Sequence, residues 1–445
     1  MTDASTLSHM NIKDMSRRWL KRGEGGRLHA ENIPLHHIAD VVGTPFYCYS
    51  AGALRDNYAR LKAAVAASGV SICFAVKACS NINILSELAR QGCGMDIVSG
   101  GEMARALAAG TPPERIIFSG VGKTRAEIHG ALEAGVYQLN VESQAELDIV
   151  AAVARETQIR APIALRVNPD VDALTHAKIT TAKKDSKFGI AIGEIPALYA
   201  AASARPELRM VGLAVHIGSQ ILDLTPFRDA WSALAGLVRR LRDDGFSVER
   251  LDVGGGLGIG DDIQAGPDLA EYVAIIAATV GDLGCKLNIE PGRWLSGRTG
   301  VLASEVLYVK QSAGTPIAVI DAAMNDLMRP ALYSARHPVL TDGPARAVEP
   351  GSDDVCRIVG PVCESSDDFG KYEGLGTVLA GDLLVFDNVG AYGAAMSSTY
   401  NSRDLVAEVL VDGERFRVVR RRATIADALQ LEQPEAWHSK KNPVG

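Results

Sequence analysis

The chain has 445 residues, 47% hydrophobic and 22% charged, with a formal net charge of -7. That length accommodates two or three domains, one of them a full barrel, and the composition is that of an ordinary globular enzyme. The acidic balance argues against a nucleic-acid surface, and no run is long and apolar enough to span a bilayer or to follow Arg17, Arg18, Lys21 and Arg22 as a secretory core.

Seven cysteines, scattered without C-x-x-C spacing, point to reduced thiols in a cytoplasmic protein with no metal site. Residues 1–42 are mixed and polar, with Leu35, Ile38 and Val41 marking one short amphipathic turn. Residues 46–49 read as a strand, and Ser50 is a good N-cap for a helix carrying Leu54, Tyr58, Leu61 and Val65 at helical spacing. The run Ser71-Ile72-Cys73-Phe74-Ala75-Val76-Lys77-Ala78 reads as a strand buried in a parallel sheet, with Lys77 at its carboxyl end.

From there strands and helices alternate. Residues 93–98 form a strand, and Ser99 with Glu102 makes a capping box for a helix to Ala109. A strand at 115–119 precedes a helix from Thr124 to Ala134; another at 137–141 precedes a second capping box, Ser143 with Glu146. Strands at 163–167, 211–215, 251–253 and 287–289 run into Asn168, His216, Gly254 and Glu290. Eight strands alternating with helices over about 240 residues are the signature of a (β/α)8 barrel. The connection 170–192, containing Ser186-Lys187-Phe188-Gly189, is long enough to be functional or flexible. After Trp294 the pattern changes to strands at 301–309, 316–320, 354–358, 376–378, 382–386, 406–411 and 415–419, with Gly, Pro and Asp at the turns. The expected fold is therefore α/β: a (β/α)8 TIM barrel over 46–295, and a second, β-rich domain made of 296–445 joined by the segment 1–45.

Four strand ends carry chemistry. A partly desolvated Lys77 has its pKa lowered and becomes nucleophilic enough to form a Schiff base. Gly254-Gly255-Gly256-Leu257-Gly258 leaves the seventh strand, where barrel enzymes bind phosphate on backbone N–H groups. Glu290-Pro291-Gly292-Arg293 leaves the eighth: Glu290 suits a protonated heteroaromatic nitrogen, and Arg293 a phosphate or carboxylate. His216 suits stacking on a ring, and Ser219 suits a phosphate oxygen. Singly these are a solvated lysine, a surface salt bridge, a tight turn and a core histidine. Converging on one barrel mouth, they describe a pyridoxal 5'-phosphate site.

On these segments, with Phe74 to Ala78, Ser186 to Gly189 and His216 to Gln220, the chain resembles the fold-type III pyridoxal-phosphate decarboxylases. Met328-Arg329-Pro330-Ala331-Leu332-Tyr333, Gly360-Pro361-Val362-Cys363-Glu364-Ser365 and Gly390-Ala391-Tyr392 extend the resemblance over nearly everything from Gly26 to Ala407. The resemblance is strongest to the branch that decarboxylates meso-2,6-diaminopimelate. It implies that Lys77 carries the cofactor, Glu290 pairs with the pyridine nitrogen and His216 stacks on the ring. Gly254, Gly255, Gly256, Gly292, Ser219 and Tyr392 would hold the phosphate. Arg293, Arg329 and Tyr333 would bind the substrate's distal carboxylate end and Glu364 its distal amine, while Cys363 supplies a proton after carbon dioxide leaves. It also implies a homodimer with shared active sites, Cys363 and Glu364 coming from the partner subunit, with Tyr392 a further candidate.

Two positions depart from the family pattern: Cys79 stands where asparagine is usual, and Ala182 where glycine is frequent, so loop closure over the site is expected to differ. The competing readings are a related decarboxylase of ornithine, arginine or a carboxylated polyamine such as carboxynorspermidine, and a non-enzymatic pyridoxal-phosphate carrier. Glu364 after Cys363, together with Arg329, favours a substrate with a distal carboxylate. The β-rich region argues against a single-domain carrier, and Glu290 against a racemase, which resembles this fold but places arginine at the ring nitrogen.

Overall fold

The computed structural model describes residues 19–172, 186–260, 266–312, 314–348 and 354–434. Ala182 lies outside the described residues. Eight strands close a parallel barrel: Ser71–Ala75, Gly94–Ile97, Ile116–Phe118, Gln138–Val141, Ala161–Asn168, Leu208–Val215, Arg250–Asp252 and Lys286–Ile289. Each pairs with the next, and the eighth returns to the first with Asn288 opposite Ser71 and Ile289 opposite Ile72. A two-residue strand, Ile190–Ala191, adds to the fifth. The carboxyl ends of all eight therefore open on one mouth, where the loops that carry function in this architecture converge.

Local chemistry sets the helices between them. Ser50 Oγ accepts from Ala53 N at 2.9 Å to start the helix Ala51–Val65, whose Leu54, Tyr58, Leu61 and Val65 are all buried. Thr124 and Glu127 form a reciprocal capping box at the helix Arg125–Ala134. The two boxes expected from sequence are only half made. The Ser99 and Ser143 hydroxyls do cap, but the Glu102 carboxylate accepts from Val98 N and that of Glu146 from Glu142 N, each at 2.8 Å. Glu146 also binds the buried Lys123 ammonium at 2.7 Å, which holds its carboxylate toward the barrel.

The second sheet runs Asp368–Glu373, Val355–Val359, Thr315–Ile320, Gly300–Ser312, Phe46–Ser50, Ala407–Asp412, Arg415–Arg420, with Leu383–Phe386 and Val339–Thr341 branching from Gly300–Ser312. Phe46–Ser50, placed by sequence at the head of the barrel segment, is thus an interior strand of this sheet, antiparallel to Gly300–Ser312 and parallel to Ala407–Asp412. Both of its faces are buried, Tyr47 and Tyr49 in the large core shared with the barrel, Phe46 and Cys48 in a smaller one. A strand apolar on both faces needs cover on both sides, which an interior strand of the second sheet has. The smaller core also takes Leu20 and Leu28 from a separate three-stranded sheet, Leu20–Arg22, Leu28–Ala30 and Ile33–Pro34, Trp19 just before it, and Leu35 and Ile38 from the helix Leu35–Val42. That is how the N-terminal segment joins the β-rich part.

Residues 376–378, expected as a strand, form none. Gly376 has φ +68°, its N–H donates to Asp354 Oδ1, and Thr377 N donates to Arg346 O, so a turn satisfies the backbone there. Among the described residues, no helix is long and apolar enough to cross a membrane.

Candidate active site

Lys77 sits on a single 3-10 turn, Val76–Ala78, directly after the first barrel strand, so its side chain enters the mouth. Its Nζ lies 3.3 Å from Asp96 Oδ2 at the end of the second strand, and its side chain is 34% exposed. Burial pulls the amine down, as the sequence suggested, but Asp96, Tyr392 and Glu290 outweigh it and hold the ammonium above its ordinary value. The expectation of a lowered pKa is therefore overturned for the chain by itself.

Three carboxyls line this side of the mouth: Asp96 and Asp252, each 1% exposed, and Glu290, 5% exposed. Burial, the Asp252 and Asp96 charges and a hydrogen bond with Asp252 drive the Glu290 carboxyl well above the usual range. Burial also raises Asp252, against its hydrogen bonds to Glu290 and Asn140. Each carboxyl disfavours the other's ionised form, since like charges this close repel. Asn140 Nδ2 donates to Asp252 Oδ2 and to Ser119 Oγ, each at 3.0 Å, and Ser119 Oγ reaches Glu290 Oε1 at 3.4 Å, which fixes both acids.

The glycines of 254–256 are dictated by close approach. A Cβ would stand 2.1 Å from Val215 O at Gly254, 2.0 Å from Glu290 O at Gly255 and 2.4 Å from Gly218 O at Gly256. Gly254 and Gly256 also have positive φ, +76° and +109°. The amides are not equivalent. Gly254 N donates to Asp252 Oδ1 at 3.0 Å and Gly255 N to His216 Nδ1 at 3.2 Å, which leaves Gly256 N as the amide without a partner among the described residues. His216 is thus the Nε2–H tautomer, and burial with the Lys77 and Arg166 charges keeps it neutral, well below pKa 6.5. Ser219 lies on the adjoining turn, which Gln220 ties to Ile259 through Nε2–H···O at 2.6 Å and N–H···Oε1 at 3.2 Å.

Gly292 packs against the Lys77 turn: its Cβ would lie 3.0 Å from Ala78 Cβ and 3.4 Å from Tyr392 Oη. Tyr392 N donates to Ala78 O at 2.7 Å, bringing a loop of the β-rich part onto the barrel. The Tyr392 ring lies under the Arg293 guanidinium at 4.7 Å. Arg293 opens a short helix, Arg293–Ser296, and Arg329 opens another, Arg329–Tyr333. Both are lowered by burial, Arg329 to about 10, with Tyr392 and Tyr333 opposing the shift in each. Neither guanidinium forms an ion pair with a carboxylate, and the Nε of each is buried without a hydrogen bond, among the described residues.

Cys363 and Glu364 are not part of this cluster. Both are exposed, with Cys363 N donating to Asn401 Oδ1 at 3.0 Å and Glu364 bonded to the Ser366 hydroxyl and to Tyr400. No hydrogen bond or ion pair joins them to Lys77, Glu290, Arg293 or Arg329. The motif Ser186 to Gly189 reaches the mouth through Arg166, which pairs with Glu142 at 2.8 Å and stacks on Phe188 at 4.9 Å, while Gly189 N donates to Glu142 Oε2 at 3.0 Å.

Sequence reasoning missed Asp96, Asp252 and His337. The first two carried a signal, a lone acid inside an apolar strand at Met95-Asp96-Ile97 and Leu251-Asp252-Val253. His337 had none. Its ring is held neutral by burial and by the Arg329 and Arg293 charges, with a pKa pushed down to about 3. Stability follows from the sign of that shift. Below about pH 6.5 the unfolded chain binds a proton here and the native chain does not, so this histidine removes up to ~1.4 kcal/mol per pH unit as pH falls toward 3. Urea midpoints at pH 7.5 and 5.5 are expected to fall less in His337→Gln than in the parent, a comparison in which the carboxyl contributions cancel. Equal falls would mean that the ring titrates normally.

The charges at the mouth fit pyridoxal phosphate. A protonated pyridine relieves a buried pair of acids, Asp96 Oδ1 has no partner, Lys77 is the amine within reach, and Gly256 N offers a donor. Barrel and mouth together define a pyridoxal-phosphate enzyme working on amino acids.

Comparison with known proteins gives the family. The family described as "Pyridoxal-dependent decarboxylase, pyridoxal binding domain" matches residues 52–297. The diaminopimelate decarboxylase of Pseudomonas aeruginosa is 46% identical over 90% of this chain and 95% of its own, and that of Zymomonas mobilis 43% over 93% and 98%. The crystal structure of diaminopimelate decarboxylase from Helicobacter pylori complexed with L-lysine superposes with TM-score 0.84 at 38% identity, covering 89% of this chain and 99% of that one. The chain belongs to the diaminopimelate decarboxylases, pyridoxal-phosphate-dependent carboxy-lyases of lysine biosynthesis.

Proposed function

We propose that this chain decarboxylates meso-2,6-diaminopimelate to L-lysine and carbon dioxide with the residues gathered at the barrel mouth, and that it works in the cytoplasm as a homodimer. The observation carrying this is the division of charge there: carboxyls in excess beside Lys77, and the buried Arg293 and half-buried Arg329 guanidiniums without carboxylate partners among the described residues, near Tyr392.

Pyridoxal phosphate, when bound, would supply the electron sink for loss of the α-carboxylate. Lys77 Nζ would hold it covalently, and Asp96 Oδ2, 3.3 Å away, is placed to take the ammonium's proton. Glu290, whose raised carboxyl carries a proton beside Asp252, would hold the cofactor's ring nitrogen in its protonated form by acting as its counter-charge. His216, kept neutral by burial, would stack on the cofactor ring without charge repulsion. Gly256, with Gly254 and Gly255 shaping the loop, joins Ser219, Gly292, Arg293 and Tyr392 around the phosphate. Arg293, Arg329 and Tyr333 receive the distal carboxylate. Cys363 protonates the α-carbon and Glu364 binds the distal amine, both reaching the site from the partner subunit, because they are exposed and unconnected to it within one chain. In this division the barrel domain carries the cofactor, and the β-rich domain, 296–445 with 1–45 and the strand Phe46–Ser50, completes the neighbouring site.

Carbon dioxide release from meso-diaminopimelate, ornithine and arginine tests the reading; comparable kcat/KM for the latter two would overturn it. Arg329→Lys keeps the charge but loses the fork. It is expected to raise KM for diaminopimelate at least ~10-fold, or ~1.4 kcal/mol, and an unchanged KM would remove Arg329 from the substrate site.

A further inference from the structure

We infer that His337 is a positioning residue for recognition of the distal carboxylate: its imidazole holds the Arg329 guanidinium by accepting from it, where a carboxylate would neutralise it. The inference rests on the role given above to Arg329.

His337 is 2% exposed and lies just beyond the helix that carries Arg329. Its Nδ1 is 3.1 Å from Asp387 O. A carbonyl oxygen only accepts, so the ring proton is on Nδ1. Nε2 then carries a lone pair, and Arg329 Nη1, which only donates, stands 2.9 Å from it. Two partners that each have a single role thus fix the tautomer. Burial with the Arg329 and Arg293 charges keeps the ring neutral.

A buried arginine is ordinarily held by a carboxylate, which gives geometry and cancels charge together. The histidine gives geometry alone. The guanidinium is oriented by the hydrogen bond it donates to His337 Nε2, and its charge, with that of Arg293, is left for an anion on the ligand. This separates ligands by the group at their far end. L-lysine keeps a carboxylate there; 1,5-diaminopentane does not.

The test uses holoenzyme and two isosteric halves of the imidazole. In His337→Asn the amide nitrogen can take the Nδ1 place and donate to Asp387 O, but nothing accepts from Arg329. In His337→Gln the amide oxygen can take the Nε2 place and accept from Arg329. His337→Asn is expected to weaken L-lysine binding and raise KM for diaminopimelate, each ~10-fold, as for a lost charge-assisted hydrogen bond, with kcat and the affinity for 1,5-diaminopentane unchanged. His337→Gln is expected to return L-lysine binding to within ~3-fold of the parent. His337→Asp, which supplies a neutralising carboxylate, is expected to weaken L-lysine at least as much as His337→Asn, and it serves with His337→Gln if His337→Asn does not fold.

Wild-type L-lysine affinity in His337→Asn or in His337→Asp, or equal weakening in the Asn and Gln variants, would overturn the inference. Arg329→Lys separates the two levels. If it too binds L-lysine normally, the role of Arg329 is what fails; if it weakens L-lysine while His337→Asn does not, only the role of His337 fails.

Discussion

Lys77→Ala is expected to lose turnover by ~1,000-fold or more, equivalent to ~4 kcal/mol of transition-state stabilisation. The amine is the nucleophile nearest the carboxyl cluster, and Asp96 Oδ2 at 3.3 Å is its counter-charge. Alanine removes the point of covalent attachment and leaves a carboxylate that is 1% exposed with neither oxygen ion-paired. Borohydride is expected to fix pyridoxal phosphate irreversibly to the parent chain and not to the variant, which reads attachment independently of turnover. Unimpaired turnover in a folded Lys77→Ala protein would refute the central assignment.

The second large effect is a rescue. Lys77→Ala and Cys363→Ala homodimers are each expected to be nearly inactive, since every site in them lacks one essential group. Within one chain, Cys363 hangs on Asn401 at an exposed turn and makes no bond to the barrel cluster. In a mixed dimer with shared sites, one site collects both lesions, and the other takes Lys77 from one subunit and Cys363 from the other. Co-expression is therefore expected to restore up to roughly half of the parental activity per mixed dimer, given two independent sites related by a two-fold axis. Tagged and purified mixed dimers that stay inactive while remaining dimeric would place the whole site within one chain.

Much of this was legible in the amino-acid order because it depends on near neighbours. Ser50 and Thr124 cap their helices through atoms three residues away. The barrel strands announce themselves by short, mostly apolar runs bounded by turn signals, and Lys77, His216, Gly254 and Glu290 lie at strand ends because each follows such a run directly. That places them on one mouth as soon as the barrel closes.

What the order of residues could not settle is what depends on distant partners. Phe46–Ser50 has the composition of any buried strand, and its sheet is decided by Gly300–Ser312 and Ala407–Asp412, hundreds of residues further on. The direction of the Lys77 shift required Asp96, Glu290 and Tyr392 to be brought around one amine, because a pKa sums over every charge within a few ångströms. The same holds for Asp252, whose shift is set only when Glu290 arrives beside it from the neighbouring strand, and for the glycine amides, of which two are taken by Asp252 and His216. His337 is the extreme case. It lies eight residues from Arg329, yet its role is set by burial and by the Asp387 carbonyl from another strand's end. Sequence determined which groups stand at the mouth; tertiary structure decided their protonation and partners, because both are properties of the surroundings and not of the residue.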